Sequence, residues 1–149
     1  MRNEKNLLQL VNTHFEPLKL EIKRKQNVSV DFKKEELIQA LSFLKSHSYR
    51  HLSTISCVDW PEKGEFELVY HLFSYEDLIN ISLKTRIKRD PGIFQTAKEI
   101  WPVAEFYERD IHDFFGVKFK GNDNLEELIL ENWQEIPPMR KDFDTRKFV

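Results

Sequence analysis

The sequence predicts an α+β fold. One domain spans residues 1–149, with a mixed or mostly antiparallel sheet, helices on one of its faces and an extended C-terminal tail. Three observations carry the prediction. Several short segments alternate apolar and polar residues, as strands with one wet face do. Two longer segments repeat their apolar residues at helical spacing. The segments succeed one another as β-α-β-β-β-α, which is not the regular alternation of a doubly wound parallel sheet.

Residues 4–14 predict a short helix around Leu7, Leu8, Leu10 and Val11. Leu18, Leu20 and Ile22, then Val28, Val30 and Phe32, give two weak strands interrupted by Lys23-Arg24-Lys25-Gln26-Asn27. Lys33 to Ser46 reads as a helix: Glu35 and Glu36 suit its positive end, and Leu37, Leu41 and Leu44 share a stripe. Three strands follow, Leu52–Asp59, Phe66–Phe73 and Leu78–Ile87, the first two separated by the turn Pro61-Glu62-Lys63-Gly64.

After Pro91-Gly92 the spacing predicts helix from Ile93 to Phe115, broken near Trp101 because Pro102 has no N–H to give and suits the first turn of a second helix. Gly116 ends it at the position that favours a left-handed backbone. Leu125–Asn132 is a short helix candidate, and from Trp133, through Pro137-Pro138, the tail is expected to run extended. The core is expected over about residues 18–116, with a docking segment and tail over about 117–149.

On the Ile93–Phe115 helix, Ala97, Ile100, Ala104, Tyr107, Ile111 and Phe115 fall on one face, and Glu108 falls inside it. Arg109 and Asp113 line up with Glu105 on another. A carboxylate on an apolar face requires a partner or a proton. The cluster Met139-Arg140-Lys141-Asp142-Phe143 supplies the cation, so a Glu108–Arg140 pair is expected, Arg being preferred for its two-pronged grip on a carboxylate.

Composition narrows the function. Net charge is −2 and the isoelectric point about 6.2, which argues against a general nucleic-acid binder. Charge is uneven: residues 1–34 carry eight Lys/Arg against four Asp/Glu, and residues 122–135 carry five acidic residues and no basic one, a pattern of solvated faces or of docking to partner proteins. Cys57 is alone and lies in an apolar strand, so it reads as a small buried hydrophobe. No apolar run approaches the ~20 residues of a membrane span, and the N-terminus has no hydrophobic signal core. A cytoplasmic chain that meets the membrane only through partners is expected.

Three chemistries compete with a plain structural role. Of the five histidines only His47 and His51 have a metal-ligand spacing, and they straddle a helix end near Tyr49. Glu108, Asp110 and Asp113 with Arg109 and His112 would suit a hydrolase, but Glu108 and Asp110 point about 160° apart on a helix. A βαββ sheet bearing Phe66, Tyr70 and Phe73 would suit a single-strand nucleic-acid reader, yet Phe73 falls on the opposite face from the other two. The last two stay open as alternatives.

The charged helix also resembles a known signature. Trp101-Pro102-Val103-Ala104, Glu108-Arg109-Asp110 and Asp113-Phe114-Phe115-Gly116-Val117 resemble a run in the C-subunit, or thirty-kilodalton subunit, of NADH:quinone oxidoreductase (respiratory complex I) and its relatives in membrane-bound hydrogenases. Met139-Arg140-Lys141-Asp142-Phe143 resembles that family's Leu-Arg-Lys-Asp-Phe. Asp59-Trp60-Pro61, followed by Leu68-Val69-Tyr70, resembles its Asp-Tyr-Pro and Val-Val-Tyr. The match covers roughly residues 28 to 143.

One segment departs. Where the quinone-reducing members carry Gly-His-Pro-x-Leu-Arg-Arg, this chain has Gly121-Asn122-Asp123-Asn124-Leu125-Glu126-Glu127. The reversal of charge favours a divergent branch, in a hydrogenase-type or other specialised membrane complex.

The resemblance implies the same α+β fold and a non-catalytic subunit in the peripheral arm, on the cytoplasmic side. It implies no flavin, iron–sulfur cluster or nickel in this chain, these belonging to partner subunits. The implied partners are the large catalytic subunit, which this chain braces, and a neighbouring iron–sulfur subunit. The signature residues expected at the interface or in support of it are Glu108, Arg109, Asp110, Asp113, Phe115, Gly116, Arg140, Lys141, Asp142 and Phe143.

Overall fold

The structure, a computed structural model, describes residues 1–123 and 139–141. A five-stranded sheet carries the fold, in the order β1 (Lys19–Arg24), β2 (Asn27–Asp31), β5 (Ile79–Lys88), β4 (Glu65–Ser74) and β3 (His51–Trp60). Only the β2–β5 pairing is parallel; the other three are antiparallel. Helices α1 (Glu4–His14), α2 (Lys34–Ser46) and α3 (Ala104–Phe115) pack on one side of it.

Alternation along β5 explains the layering. Ile79, Ile81, Leu83, Thr85 and Ile87 are buried, whereas Asn80, Ser82, Lys84, Arg86 and Lys88 are not. Their buried partners are Val28 and Val30 on β2 and Phe66, Leu68, Tyr70 and Leu72 on β4. Onto this face α2 lays Leu37, Ala40, Leu41 and Leu44, all fully buried, and each leucine contributes about 2 kcal/mol of apolar burial. Leu7 and Val11 of α1, and Val117 and Phe119 beyond α3, join the same core. The N-terminus is tied down at Asp77, which accepts hydrogen bonds from the Arg2 backbone N–H (3.0 Å) and guanidinium (3.2 Å) and the Tyr49 hydroxyl (3.0 Å).

A bulge between Leu52 and Thr54 reverses the parity of β3. Leu52 faces the core before it; Ile55, Cys57 and Asp59 take the core side after it, opposite Tyr70, Leu68 and Phe66. Asp59 is thereby delivered to a buried position, 2 % exposed.

The predicted helix over Ile93–Trp101 is corrected by the structure. Ile93–Gln95 is a short strand, β6, paired in parallel with β7 (Lys118–Lys120). Phe94 and Phe119 are its inward pair. Helical spacing survives only as one turn, in which the N–H groups of Ile100 and Trp101 both donate to the Ala97 carbonyl (3.0 Å each). That turn is pinned from outside, the Trp101 indole donating to the Arg50 carbonyl (2.8 Å) and Lys45 to the Ile100 carbonyl. Pro102 precedes the helix, which begins at Ala104. The Leu125–Asn132 helix, the extended tail from Trp133, and Asp142 and Phe143 lie outside the described residues.

Candidate functional site

Helix α3 carries two separate constructions, one along its buried face and one at its C-terminal end. Glu108 belongs to the first and is fully buried. Its partners are not cations. Thr96 donates its hydroxyl to Oε1 (2.5 Å), Asn122 its side-chain N–H to Oε1 (3.0 Å) and Ala97 its backbone N–H to Oε2 (2.8 Å).

The expected Glu108–Arg140 pair is therefore wrong, and the reason is geometric. β6 brings Thr96 and Ala97 beneath the helix, β7 brings Asn122 beside them, and three neutral donors engage both carboxylate oxygens. Burial pushes the Glu108 carboxyl above its ordinary value, and these three hydrogen bonds oppose the shift. Gly121 is needed here: its φ is +93°, and a Cβ would lie 2.8 Å from Thr96 Cγ2.

The second construction gathers the end of α3, the end of β3 and the residues 139–141. Gly116 closes the helix in the left-handed conformation (φ 81°), its N–H donating to the His112 carbonyl (2.9 Å). His112 does not meet Glu108; its Nδ1 lies 2.9 Å from the Val117 carbonyl. Two of the last helical carbonyls find partners in the returning chain. The Met139 N–H donates to Phe114 O (2.9 Å) and Arg140 Nε to Phe115 O (2.7 Å). A cation at this end is also favoured by the helix dipole.

Lys141 completes the seat by donating its backbone N–H to Asp59 Oδ2 (2.8 Å). Arg89 grips the same carboxylate with two hydrogen bonds, 2.8 and 2.9 Å. The Phe66 ring lies within cation–π range of both Arg89 (5.8 Å) and Arg140 (5.2 Å) and meets Phe115 edge-on at 6.0 Å. The Lys141 ammonium reaches over Trp60 (5.4 Å). Two distant motifs, Asp59-Trp60-Pro61 and Met139-Arg140-Lys141, are thus halves of one contact.

Of the signature residues, Phe115, Gly116, Arg140 and Lys141 come together at this end. Glu108 stands seven positions earlier, about 10 Å up the helix. Arg109 and Asp110 lie half-buried on the outer side, and Asp113 is buried. Burial, then the nearby Asp113 charge, pushes the Asp110 carboxyl up, with Arg109 opposing. Asp59, Arg89, Thr96 and Asn122 are the functional-site residues that sequence reasoning missed. Only Asp59 carried a signal, inside its own motif.

The enzymatic and nucleic-acid alternatives find little support. Glu108 is shut from solvent with both oxygens hydrogen-bonded, so it has no route to a substrate. Phe66 and Tyr70 are fully buried against the helices and present no ring to a base. His47 ends α2 and His51 starts β3, and among the described residues no group of three His, Cys, Asp or Glu is arranged to hold a metal ion. Cys57 is half-buried, and burial, with Asp59 adding and Arg140 opposing, pushes its thiol up to about 12.

Comparison with known proteins agrees with this architecture. The sequence profile of the respiratory-chain NADH dehydrogenase 30 Kd subunit matches residues 30–149. The chain belongs to that family. It is 32 % identical over 117 residues to the C-subunit of the F(420)H(2) dehydrogenase of Methanosarcina mazei, covering 74 % of this chain and 72 % of that protein. Identity to a C-subunit of the NADH-quinone oxidoreductase of Rhizobium meliloti is 33 % over 118 residues, covering 76 % of this chain and 64 % of the relative.

Among solved structures, a chain of the membrane-bound sulfane sulfur reductase, described as an archaeal respiratory membrane complex, superposes with a TM-score of 0.87. It is 34 % identical, and the alignment covers 97 % of this chain and 87 % of that one. A trypsin-resistant fragment of Nqo5 matches at a TM-score of 0.68 and 21 % identity, covering 81 % of this chain and 98 % of the fragment, and shares the fold. The family's α+β fold is the one seen here. No helix among the described residues is long and apolar enough to cross a membrane.

Proposed function

We propose that this 30 Kd family member is a non-catalytic bracing subunit in the peripheral arm of a complex I-like, membrane-associated oxidoreductase, and that α3 is the surface it offers to the large catalytic subunit. One observation carries the reading. On α3, Phe106 stands 53 % exposed, one helical turn from the half-buried Arg109 and Asp110. An exposed aromatic ring near an arginine is the composition of an interface centre.

The relatives support a role independent of the redox reaction. Proteins named for F(420)H(2) oxidation, quinone reduction and sulfane sulfur reduction are 32–34 % identical to this chain. A part with similar counterparts in complexes of such different chemistry suits a shared structural task. Flavin, iron–sulfur or nickel–iron centres are assigned, on the family resemblance, to the partner subunits; this chain has a lone cysteine, Cys57. The family resemblance favours the cytoplasmic side, with the membrane met through the complex.

Co-purification tests this. Phe106→Ala and Arg109→Ala, introduced into the chain while it is co-expressed with its neighbouring subunits, are expected to lower recovery of the large subunit at least tenfold. Folding stability of the isolated chain should move by no more than about 0.5 kcal/mol for Phe106→Ala, a surface change. Undiminished recovery of the large subunit with both variants would remove α3 from the interface.

A further inference from the structure

We propose that the free edge of the sheet joins two copies of this chain, β1 pairing antiparallel with β1 of the second copy about a two-fold axis at Leu20. β1 stands first in the sheet order, and among the described residues no strand pairs with its outer side. Unpaired N–H and C=O groups along such an edge are a template for another strand. The apolar residues there are also left uncovered. Leu18 is 62 % exposed and Ile22 44 %. With Leu20 they follow strand alternation on the helix side, where Leu20 and Ile22 stand beside Val30 and Val28.

Backbone direction and charge select the same register. The Leu18 N–H donates inward, to the Asp31 carbonyl (2.7 Å), so by alternation the backbone groups of Lys19 and Glu21 point out from the edge. An antiparallel partner must set these outward positions opposite one another. With Leu20 on the axis, Lys19 lies opposite Glu21 of the second copy and exchanges two hydrogen bonds with it, and the symmetry repeats the pair. Leu20 then meets Leu20, and Leu18 meets Ile22. Every facing pair is apolar with apolar or base with acid.

The neighbouring registers fail. An axis at Glu21 opposes Glu21 to itself and Lys19 to Lys23; an axis at Lys19 opposes Lys19 to itself. An axis at Ile22 sets Leu20 against Arg24 and runs through the bulge between Ile22 and Arg24. Lysines and proline commonly guard a sheet edge. Here Lys19 and Lys23 both lie beside Glu21 of their own chain (3.5 and 3.1 Å), and the segment from Leu18 to Ile22 has no net charge. Pro17 and the bulge bracket that segment and lie outside it. The sheet order also puts β1 at the far edge from β3, against which α3 packs. Two copies can therefore join while each keeps α3 clear.

Analytical ultracentrifugation of the full chain over a range of concentrations tests this. A monomer–dimer equilibrium is expected, and amide exchange at Lys19 and Glu21 should slow as concentration rises. Lys19→Glu and Glu21→Lys each set like charges opposite one another and should weaken self-association about tenfold. An equimolar mixture of the two variants restores opposite charges at both pairs, so mixed dimers should form about as readily as those of the natural chain. A monomer at every concentration, or dimers that both variants leave intact, overturns the proposal. So does a failure to recover on mixing variants whose amide spectra remain those of the folded chain. Protection of Lys19 and Glu21 that appears only with neighbouring subunits assigns the edge to one of them and overturns it too.

Discussion

The Lys141 backbone N–H and the Asp59 carboxylate are hydrogen-bonded at 2.8 Å across 82 positions of sequence. Asp59 also holds Arg89 in a two-bond grip and is 2 % exposed, so one buried carboxylate joins the end of β3, the end of β5 and the returning tail. Asp59→Asn keeps the shape but removes the charge. We expect it to cost about 3 kcal/mol, as breaking a buried pair does. Urea unfolding at pH 7 measures this; a loss under about 0.5 kcal/mol, the range of an ordinary surface change, would mean that the junction is not stabilising.

Glu108 gives the fold a pH dependence of defined sign. Burial raises its carboxyl in the folded state, so the folded chain holds this proton to higher pH than the unfolded chain does. The stability it contributes is complete below the unfolded value near 4.5 and declines as pH rises through the folded value. Glu108→Gln removes that decline while keeping an acceptor for Ala97. Unfolding free energies measured from acid to neutral pH should therefore fall more steeply with pH for the natural chain than for the variant. Parallel profiles would contradict the assignment.

Tyr70 is fully buried, and its hydroxyl has no hydrogen-bond partner among the described residues. Burial, with the nearby Glu108 charge adding to it, pushes its ionisation well above the ordinary range. Tyr70→Phe is expected to leave stability unchanged or raise it by about 1 kcal/mol, since an unmatched polar atom is removed. A loss beyond about 1 kcal/mol in thermal or urea unfolding would show that the hydroxyl has a partner.

Gly121→Ala tests the packing around the same glutamate. Its Cβ would meet Thr96 Cγ2 at 2.8 Å on a backbone with φ +93°, and both effects are unfavourable. A loss of about 2–3 kcal/mol is expected. Combining it with Thr96→Ser, which deletes the clashing methyl but keeps the hydroxyl for Glu108, should restore part of it. No restoration in the double variant would place the strain elsewhere.

The five strands of the main sheet, α1 and α2 were legible in the sequence because their periodicity is local: β5 alternates along its whole length and α2 repeats Leu37, Leu41 and Leu44. Ile93–Gln95 was not, since three residues cannot display a period and their strand character comes from pairing with Lys118–Lys120. Glu108 was correctly placed on a buried face but given the wrong partner for the same reason. Its donors arrive through that pairing, and two of them, Thr96 and Ala97, lie on the segment misread as helix. Asp59 was not read as a site residue because it reaches the inner face only through the bulge at Leu52–Thr54, and its partners Arg89 and Lys141 lie far away in sequence.

Hydrogen–deuterium exchange, compared between the isolated chain and the assembled complex, tests the docking role of α3 most directly. Assembly is expected to slow exchange across Ala104–Phe115 and across residues 139–141, which seat against the end of that helix. The outer face of the sheet around Ser82 and His71 should change less. Unchanged exchange across Ala104–Phe115 on assembly, with protection appearing on the sheet face, would contradict it.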